Sequence, residues 1–355
     1  MKSKKMNLKD LSEALGLSQT TVSRALNGYP EVRESTRQKV LEAAEAYDYA
    51  PNTRAKTLAT GHSMAIGHVL PLSKKHEMVN PIFADFIAGA GEIYSDNGYD
   101  LLLSVVDDQD EESSYRKLVS RGAVDGLIVH GPKVRDRRIA LLQGLGVPFV
   151  VHGRSSDVIE DYSWVDVNNK RAFQRATEFL LDLGHRRIAL LNGLADMDFA
   201  TRRGAGYKAA LAARGIQADQ SLMFHDEMTE NYGYEVCNRS LAMDKPPTAF
   251  VVSSIIPAIG VRRALAEAGL QMGRDVSVVI HDDALSYFGN VGEVPEFTAV
   301  RSSVREAGRR VAQGLISMIQ TPGTVLHQEM MEAALTVGQS TGQAPALREV
   351  LERDD

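Results

Sequence analysis

The 355-residue chain has one cysteine, Cys237, and one tryptophan, Trp164. A disulfide needs two thiols, so a covalent framework within the chain is excluded, which is typical of a reducing compartment. Long apolar runs are also missing, because stretches such as TAFVVSSIIPAIGV are interrupted by Ser and Pro. No apolar segment follows the basic residues at the N-terminus, as a secretion signal would require. We therefore predict a cytoplasmic protein with no membrane association.

Basic residues are fewer than acidic ones, 40 against 46, and the two kinds are unevenly distributed. The chain has a formal net charge of −6, yet residues 1–61 contain ten Lys and Arg against seven Asp and Glu. The remaining residues contain 30 against 39. A mildly basic segment on an acidic body is compatible with binding of a polyanion, although many protein surfaces vary this much.

Apolar side chains at helical spacing predict three short helices within residues 6–48. The first ends at Gly16, and Ser18 is placed to cap the second, Gln19–Asn27. The third covers STRQKVLEAAEAYDY. The apolar face of the first helix comprises Leu8, Leu11 and Leu15, and the inner face predicted for the third comprises Val40, Leu41, Ala44 and Tyr47.

From Met64 onward, β-rich runs alternate with amphipathic helical stretches. Strands are predicted at MAIGHVL, DLLLSVV, GLIVHG, PFVVHG, RRIALLNG, TAFVVSS and VSVVIHDD. Helices are predicted over residues 82–96, 111–121, 169–183, 203–214, 231–243 and 258–268. This alternation implies parallel sheets covered by helices on both faces. The length of about 290 residues exceeds one sheet, so two lobes are expected.

The turn between the first two predicted helices is short and contains a glycine, which is the helix-turn-helix arrangement. In that arrangement the second helix inserts its N-terminal residues into the major groove of DNA. Gln19 and Thr20 are suited to base edges, and the Arg24 fork matches a guanine. The side chains suited to phosphate oxygens are Thr21, Ser23 and Asn27. The alternative is a surface helix with ordinary polar residues.

The run MNLKDLSEALGLSQTTVSRALNG, followed by VRESTRQKVLEAAEAYDYAPNTRAKTLA, resembles the head of the lactose/galactose repressor (LacI/GalR) family. Its hallmarks here are TVSRALNG and Y-x-PN-x-x-A-x-x-L. The resemblance implies an all-α helix-turn-helix DNA-binding domain followed by an α/β domain of two lobes, similar to periplasmic sugar-binding proteins. Thr36 and Tyr49 complete the DNA contacts predicted within the head.

Domain limits follow from the same resemblance. We expect the DNA-binding domain over 6–50, a hinge helix over 51–62, an effector-binding and dimerisation domain over 63–342 and a flexible tail over 343–355. Three crossings between lobes, near 165, 295 and 325, would build the N-terminal lobe from 64–165 and 296–325. The C-terminal lobe would then comprise 166–295 and 326–342.

In the family, the segment matching Asn52–Ala59 is a hinge helix that is ordered only when two protomers pair on DNA. The residue matching Leu58 wedges into a minor-groove base step, where unstacking costs roughly a few kcal/mol that closer contact offsets. Ala55 would lie against the groove floor, Lys56 would reach a phosphate, and Asn52 completes the predicted hinge contacts. The alternative for Leu58 is a buried anchor of the linker.

Open α/β sheets bind ligands at the carboxyl ends of their strands, which selects the candidate effector contacts. Asp282 matches the family's acidic residue that holds effector hydroxyls, a task for which a carboxylate is well suited. Arg203 matches the family's Arg-x-x-Gly-aromatic run and presents a planar fork of donors, with Arg202 as the alternative. The other candidates are Asp166, His130, His152, Ser254, Ile82 and Phe83. Each of these residues has an alternative interpretation without ligand contact, as a solvated acid, a structural histidine or a core residue.

These observations predict a sequence-specific DNA-binding transcriptional regulator. The expected form is a homodimeric repressor of carbohydrate-utilisation genes, released from a pseudo-palindromic operator by a small sugar. A disaccharide or α-glucoside is favoured, since the run is similar to regulators of α-glucoside uptake genes; a purine or phosphosugar stays open. We predict no cofactor and no metal, because ligand spacing is absent. An enzyme and a transport protein are the other classes, but a nucleophile elbow, a P-loop and a dinucleotide fingerprint are not found.

Overall fold

A computed structural model describes residues 6–26, 28–49, 61–71, 80–107, 110–323 and 326–345. The chain divides into two compact units, a head (Met1–Met64) and a body (Ala65–Asp355). The predicted hinge helix falls mostly on residues 50–60, which lie outside the described ranges.

The described part of the head consists of helices α1 (Leu8–Leu15), α2 (Gln19–Leu26) and α3 (Glu34–Ala46). The Asn7 side chain caps α1 by accepting from the backbone N–H groups of Lys9 and Asp10, at 2.9 and 3.0 Å. Gly16 ends α1 with a φ of 65°, a conformation that favours glycine. The predicted cap of α2 is confirmed, since Ser18 Oγ accepts from Thr21 N at 3.1 Å. The head core comprises Leu11, Val22, Ala25, Val40 and Ala44.

The prediction for the inner face of α3 was wrong at two positions. Leu41 and Tyr47 are 43% and 51% exposed, whereas Val40 and Ala44 are buried. Helices α1 and α2 are eight residues each, so they cover only a narrow stripe of α3. Residues four apart occupy that stripe, and their neighbours point to solvent.

The first lobe of the body is a parallel sheet with helices packed against it. Its strands are β1 (Ala65–Pro71), β2 (Asp100–Val106), β3 (Gly126–His130), β4 (Phe149–His152), β5 (Trp164–Val167) and β11 (Gln328–Met331). Its helices are α4 (Pro81–Asp96), α5 (Glu111–Ser120), α6 (Arg137–Leu145) and α11 (Val304–Gln320). The strand order is β2-β1-β3-β4-β5-β11.

The second lobe repeats this plan. Its strands are β6 (Ile188–Asn192), β7 (Met223–His225), β8 (Ala249–Val252), β9 (Ser277–Asp282), β10 (Thr298–Arg301) and β12 (Ala334–Thr336). Its helices are α7 (Asn169–Asp182), α8 (Asp198–Ala213), α9 (Glu230–Leu241) and α10 (Ile255–Glu267). The order is β7-β6-β8-β9-β10-β12, and only β12 pairs antiparallel. Within the described ranges, no helix has the length and apolar character that crossing a membrane requires.

The crossings between lobes differ from the expected ones. Strand β5 keeps residues up to Val167 in the first sheet, and β10 places 298–301 in the second. Strand β11 returns 328–331 to the first sheet, where Met330 pairs with Asp166. The three crossings therefore follow Val167, Arg301 and Met331. Hydrogen bonding between distant strands decides which sheet a short strand joins, and the local apolar pattern carries no such information.

The tail is packed further than predicted. Ala344 is 4% exposed, and its N–H donates to the carbonyl of Leu183 at 2.8 Å. Residues 346–355 lie outside the described ranges.

Two glycines let α4 and α11 approach closely. A Cβ on Gly89 would lie 2.0 Å from the carbonyl oxygen of Arg305, and one on Gly308 would lie 2.2 Å from that of Phe86. The contact is therefore backbone against backbone, which only a residue without a side chain allows. It fixes α4, whose N-terminal turn reaches the end of the sheet.

Gly89→Ala should lower the free energy of unfolding by about 1–3 kcal/mol, because the added methyl group overlaps a backbone atom that cannot yield. Gly91→Ala on the same helix is the matched control, since nothing lies within 4 Å of its Cβ. That variant should be neutral or stabilising by up to about 1 kcal/mol. Urea unfolding followed by the fluorescence of Trp164, in β5 of the same lobe, measures both. Equal stabilities would contradict the close contact.

Candidate functional site

Helix α2 presents a hydrogen-bonding face opposite its buried side. Gln19, Thr20 and Arg24 are exposed, while Val22 and Ala25 are in the head core. Ser23 and Thr21 are half-buried, and the Thr21 hydroxyl lies 2.8 Å from Ser18 Oγ, so it also belongs to the helix cap. This face is the one that the sequence predicts for DNA contact.

The other predicted DNA contacts are placed differently. Thr36 is half-buried in the first turn of α3. Tyr49 packs against the head core, and burial raises the pKa of its phenol. Their contact with DNA stays a prediction. Outside the described residues lie Asn27, Asn52, Ala55, Lys56 and Leu58.

The body contains a cavity of about 540 Å³ at the carboxyl ends of the strands of both sheets. Small-molecule sites commonly have volumes of about 300–1,000 Å³. Its apolar wall comprises Pro81, Ile82, Phe83, Phe86, Pro132, Val167, Leu194, Met197, Phe199, Met228, Ile256, Val304 and Ala307. Its polar side chains are Asn80, His130, His152, Arg154, Asp166, Asn169, Arg203, Asp226, Glu227, Thr229, Glu230, Asn231, Ser253, His281, Asp283 and Ser302.

A chain of polar contacts runs along this wall from the first lobe to the second. Arg154 Nε donates to Asp166 Oδ2 at 2.8 Å, and Asn169 Nδ2 donates to Asp166 Oδ1 at 3.2 Å. The amide oxygen of the same side chain, Asn169 Oδ1, accepts from Arg203 Nε at 2.7 Å. Arg203 Nη1 donates to the carbonyl of Ser253 at 2.8 Å. Asn169 therefore joins the acid of the first lobe to the guanidinium of the second.

Arg203 is 6% exposed, which makes its charge costly to keep. Burial lowers its pKa to about 10, against the opposing effect of Asp283 and Asp166. The rings of Phe173 and Phe199 each lie 4.8 Å from the guanidinium carbon, which favours a cation. Arg203 therefore stays charged at neutral pH and is held in one orientation. Burial also raises the pKa of Asp166, although Arg154 opposes that rise.

Histidines occupy the first-lobe side of the cavity. His130 Nε2 lies 2.8 Å from His68 Nδ1, and His68 Nε2 lies 2.9 Å from the hydroxyl of Tyr94. Phe86 stacks on His152 with ring centroids 4.4 Å apart. Burial lowers the pKa of His68 to about 3 and that of His152 to about 4. Both rings are therefore neutral at pH 7, so they offer hydrogen bonds rather than charge.

The end of β9 contributes a second cluster. His281 Nδ1 lies 3.2 Å from Asp283 Oδ1, and His281 Nε2 lies 3.3 Å from the hydroxyl of Ser302. The series Asp283–His281–Ser302 resembles a nucleophilic triad. The contact between His281 Nδ1 and Asp283, however, lacks hydrogen-bond geometry. Across the described part of the chain, no three His, Cys, Asp or Glu side chains are grouped to hold a metal ion.

Backbone hydrogen bonds join the lobes beside the cavity. Val134 N donates to the carbonyl of Asp196 at 3.2 Å, and Asp198 N donates to that of Pro132 at 3.0 Å. Asp198 Oδ1 also accepts from Ser156 N at 2.9 Å. Pro132 and the neighbouring Met197 are both part of the cavity wall, so this bridge closes one side of it.

Comparison with known proteins decides the family. The model of bacterial regulatory proteins of the lacI family matches residues 7–52, and the periplasmic binding protein-like domain matches 177–341. The regulator AglR of Rhizobium meliloti (strain 1021), named as an HTH-type transcriptional regulator, is 43% identical over 340 residues, or 96% of this chain and 95% of AglR. The chain belongs to the LacI family of bacterial regulatory proteins. It is thus a DNA-binding transcriptional regulator, as predicted.

Other relatives agree with this membership. RafR of Escherichia coli is 30% identical over 88% of this chain and 92% of its own length. The lac repressor dimer bound to operator and the anti-inducer ONPF has a TM-score of 0.82 at 25% identity, covering 96% of this chain and all of that one. The complex of the regulator CelR with cellobiose has a TM-score of 0.70 at 27% identity, covering 94% and 99%. The two-lobed fold of this LacI-family protein is confirmed.

Two predicted effector residues lie outside the cavity wall, while their chain neighbours are part of it. Asp282 is buried against the Ala284 N–H, at 2.8 Å, and Arg301, at 3.6 Å, whereas Asp283 is in the cavity wall. Ser254 caps α10, accepting from Ile256 N at 3.4 Å, whereas Ser253 is in the wall. Side chains of extended backbone alternate between two sides, so an error of one residue moves the contact off the cavity. The predicted effector residues that do lie in the cavity wall are Ile82, Phe83, His130, His152, Asp166 and Arg203.

The sequence reasoning missed Asn169, Arg154 and the segment 226–231. Asn169 is the first residue of α7, two residues after β5, and polar residues following strands are the signal that identifies such positions. Arg154 has the same signal, two residues after β4. The segment follows β7, whose three residues MFH carry too little apolar pattern to predict a strand.

Stability should fall as the pH drops from 7 toward 5. In the folded protein the pKa values of His68 and His152 lie below the ordinary histidine pKa of about 6.5. Their stabilising contribution is therefore present above pH 6.5 and is lost as the pH falls toward about 4. Below pH 6.5 each costs up to about 1.4 kcal/mol per pH unit. Urea unfolding of wild type and His152→Asn between pH 7 and 5 measures this. The variant should have the shallower slope, and identical slopes would contradict the assignment.

Proposed function

We propose that this LacI-family protein is a repressor of carbohydrate-utilisation genes that leaves its operator when a sugar occupies the body cavity. One observation carries the proposal. A helix-turn-helix head with an exposed hydrogen-bonding face shares the chain with a cavity whose buried guanidinium already has its partners. The head supplies DNA recognition, and the cavity supplies a place for a signal.

A sugar suits this cavity because its two kinds of surface match the two kinds of wall. Hydroxyl groups require charged and amide partners, which Asp166, Asn169 and Arg203 offer in fixed positions. The C–H faces of a sugar ring suit the aromatic wall, represented by Phe83 and Phe199. The likeness to a CelR–cellobiose complex supports a disaccharide, and an α-glucoside is the favoured class.

Release from DNA would follow from coupling between the lobes. A sugar that touches Asp166 and Arg203 contacts both lobes, and the bridge between Pro132 and Asp198 joins them beside it. A ligand shifts a two-state equilibrium only by its difference in affinity for the two states. We propose that the two states differ in the arrangement of the lobes. The free energy that couples sugar binding to operator binding would then weaken operator binding when the sugar is bound.

A second copy of the chain is the expected partner. Strand β2 is at the edge of the first sheet, and Leu101, Leu103 and Val105 on one of its faces are 36–39% exposed. Exposed apolar side chains in a row on an edge strand are typical of an interface. A two-fold dimer would present two α2 helices to the half-sites of a pseudo-palindromic operator.

Arg24→Ala should reduce the preference for the cognate operator by about 1–3 kcal/mol, because an arginine fork contributes that much to discrimination between bases. Lys39→Ala, an exposed change on α3, is the control with an equal loss of charge. Fluorescence anisotropy with the protein's own promoter fragment and a scrambled duplex, at one salt concentration, measures the ratio. An unchanged ratio for Arg24→Ala would overturn the assignment of α2 to base recognition.

In a panel of mono- and disaccharides that includes α-glucosides, we expect at least one sugar to raise the Tm of the protein and to weaken its binding to the operator. Arg203→Lys should then bind that sugar roughly 10–100-fold more weakly, since lysine lacks the planar fork. Arg202→Lys is the matched control on the same helix, where Arg202 pairs with Asp198 rather than facing the cavity. Isothermal titration calorimetry measures both affinities. If no sugar in the panel binds, the proposal of a sugar effector is wrong. If only Arg202→Lys loses affinity for the sugar, then Arg202 rather than Arg203 is the effector-binding arginine.

A further inference from the structure

Acidic side chains outnumber basic ones on the cavity wall. Five carboxylates, at Asp166, Asp226, Glu227, Glu230 and Asp283, accompany two guanidiniums, at Arg154 and Arg203. Arg263 pairs with Glu230 at 2.9 Å from outside the wall. Even with Arg263 included, the acids exceed the bases by two. Asp166 and Asp283 come from the ends of β5 and β9, Asp226 and Glu227 from the segment before α9, and Glu230 from the first position of α9, so the acids come from three places in the fold.

Both guanidiniums already have partners. Arg154 donates to Asp166 and stacks over the ring of Trp164, 4.8 Å from its centroid. Arg203 donates to Asn169 and to the carbonyl of Ser253, and its charge is balanced by Asp283 and Asp166. An anionic ligand would therefore compete with carboxylates that are fixed in place.

Asp283 gives an independent indication. It is 8% exposed, and its Oδ2 has no hydrogen-bond partner within the described residues. A buried acceptor without a donor is unfavourable, so a ligand that brings a donor gains from this position. Hydroxyl and ammonium groups are donors, whereas an ionised carboxylate or phosphate group provides acceptors only.

The apolar part of the wall strengthens this effect. Phe83, Phe86 and Phe199 line the cavity, and charges interact more strongly beside an apolar wall than in bulk water. Repulsion between a ligand anion and the wall is then weakly screened by salt.

We propose that the cavity selects its ligand by charge, accepting neutral and positively charged sugars and rejecting sugar acids and sugar phosphates. This inference rests on the proposed function, since it names the ligand class of the same cavity. It also separates this regulator from one that senses a uronic acid or a phosphosugar.

The test compares sugars that differ only in charge. Maltose, trehalose and cellobiose are titrated calorimetrically into the full-length protein, each as the neutral sugar, as its 6-carboxylate and as its 6-amino derivative. For every sugar that binds, we expect the carboxylate to bind at least about tenfold more weakly and the amine to bind within about threefold of the neutral form or more tightly. A carboxylate that binds as tightly as its neutral parent overturns the inference and leaves the sugar effector standing. Failure of all these compounds to bind counts against the sugar effector itself, and the inference is then withdrawn with it.

A variant shows whether the selection is electrostatic. The double change Asp226→Asn with Glu227→Gln removes two negative charges at nearly constant shape. The ratio of carboxylate to neutral affinity should rise by about threefold to tenfold. Asp244→Asn, an exposed acid outside the cavity wall, is the matched control and should leave the ratio unchanged. An unchanged ratio in the double variant means that shape, not charge, rejects the anion, and this outcome also overturns the inference.

Discussion

The cavity depends on the burial of one cation, the Arg203 guanidinium. Removing a charged group from water is costly, so its neighbours must replace the lost hydration. They do so with Asn169, the carbonyl of Ser253 and two aromatic rings, and Asn169 in turn holds Asp166 of the other lobe. The polar groups that would meet a ligand are therefore positioned before it arrives, which reduces the ordering cost of binding.

Two sheets with the same strand order bring these groups together. In each lobe the chain starts one strand from the edge, at β1 or β6, and adds strands outward on both sides. Carboxyl ends of parallel strands meet at one edge of a sheet, so both lobes direct polar loop residues to the same cavity. The bridge from Pro132 and Val134 to Asp196 and Asp198 then links the loops themselves.

The head follows a simpler rule. Its described core is five side chains, and each of the first two helices contributes one narrow stripe to it. Val22 and Ala25 are the buried residues of helix α2. Gln19, Thr20 and Arg24 on the same helix are exposed. A helix that must enter a groove needs such an arrangement, because its reading face cannot also be a packing face.

The sequence by itself determined the elements whose cause is local. Helix α1 is fixed by the Asn7 cap and Gly16, and strands such as β3 and β8 are fixed by continuous apolar runs. It also placed Asp166 and the two strand-end histidines at the cavity, since the ends of such runs lie at the ligand-binding edge, and it placed Arg203 there through the family's Arg-x-x-Gly-aromatic run. Only the tertiary structure chose Asp283 over Asp282 and Ser253 over Ser254, and only it joined β11 to β5 across more than 160 residues. Those choices depend on strand register and on pairing between distant segments, and neither leaves a trace in the local pattern.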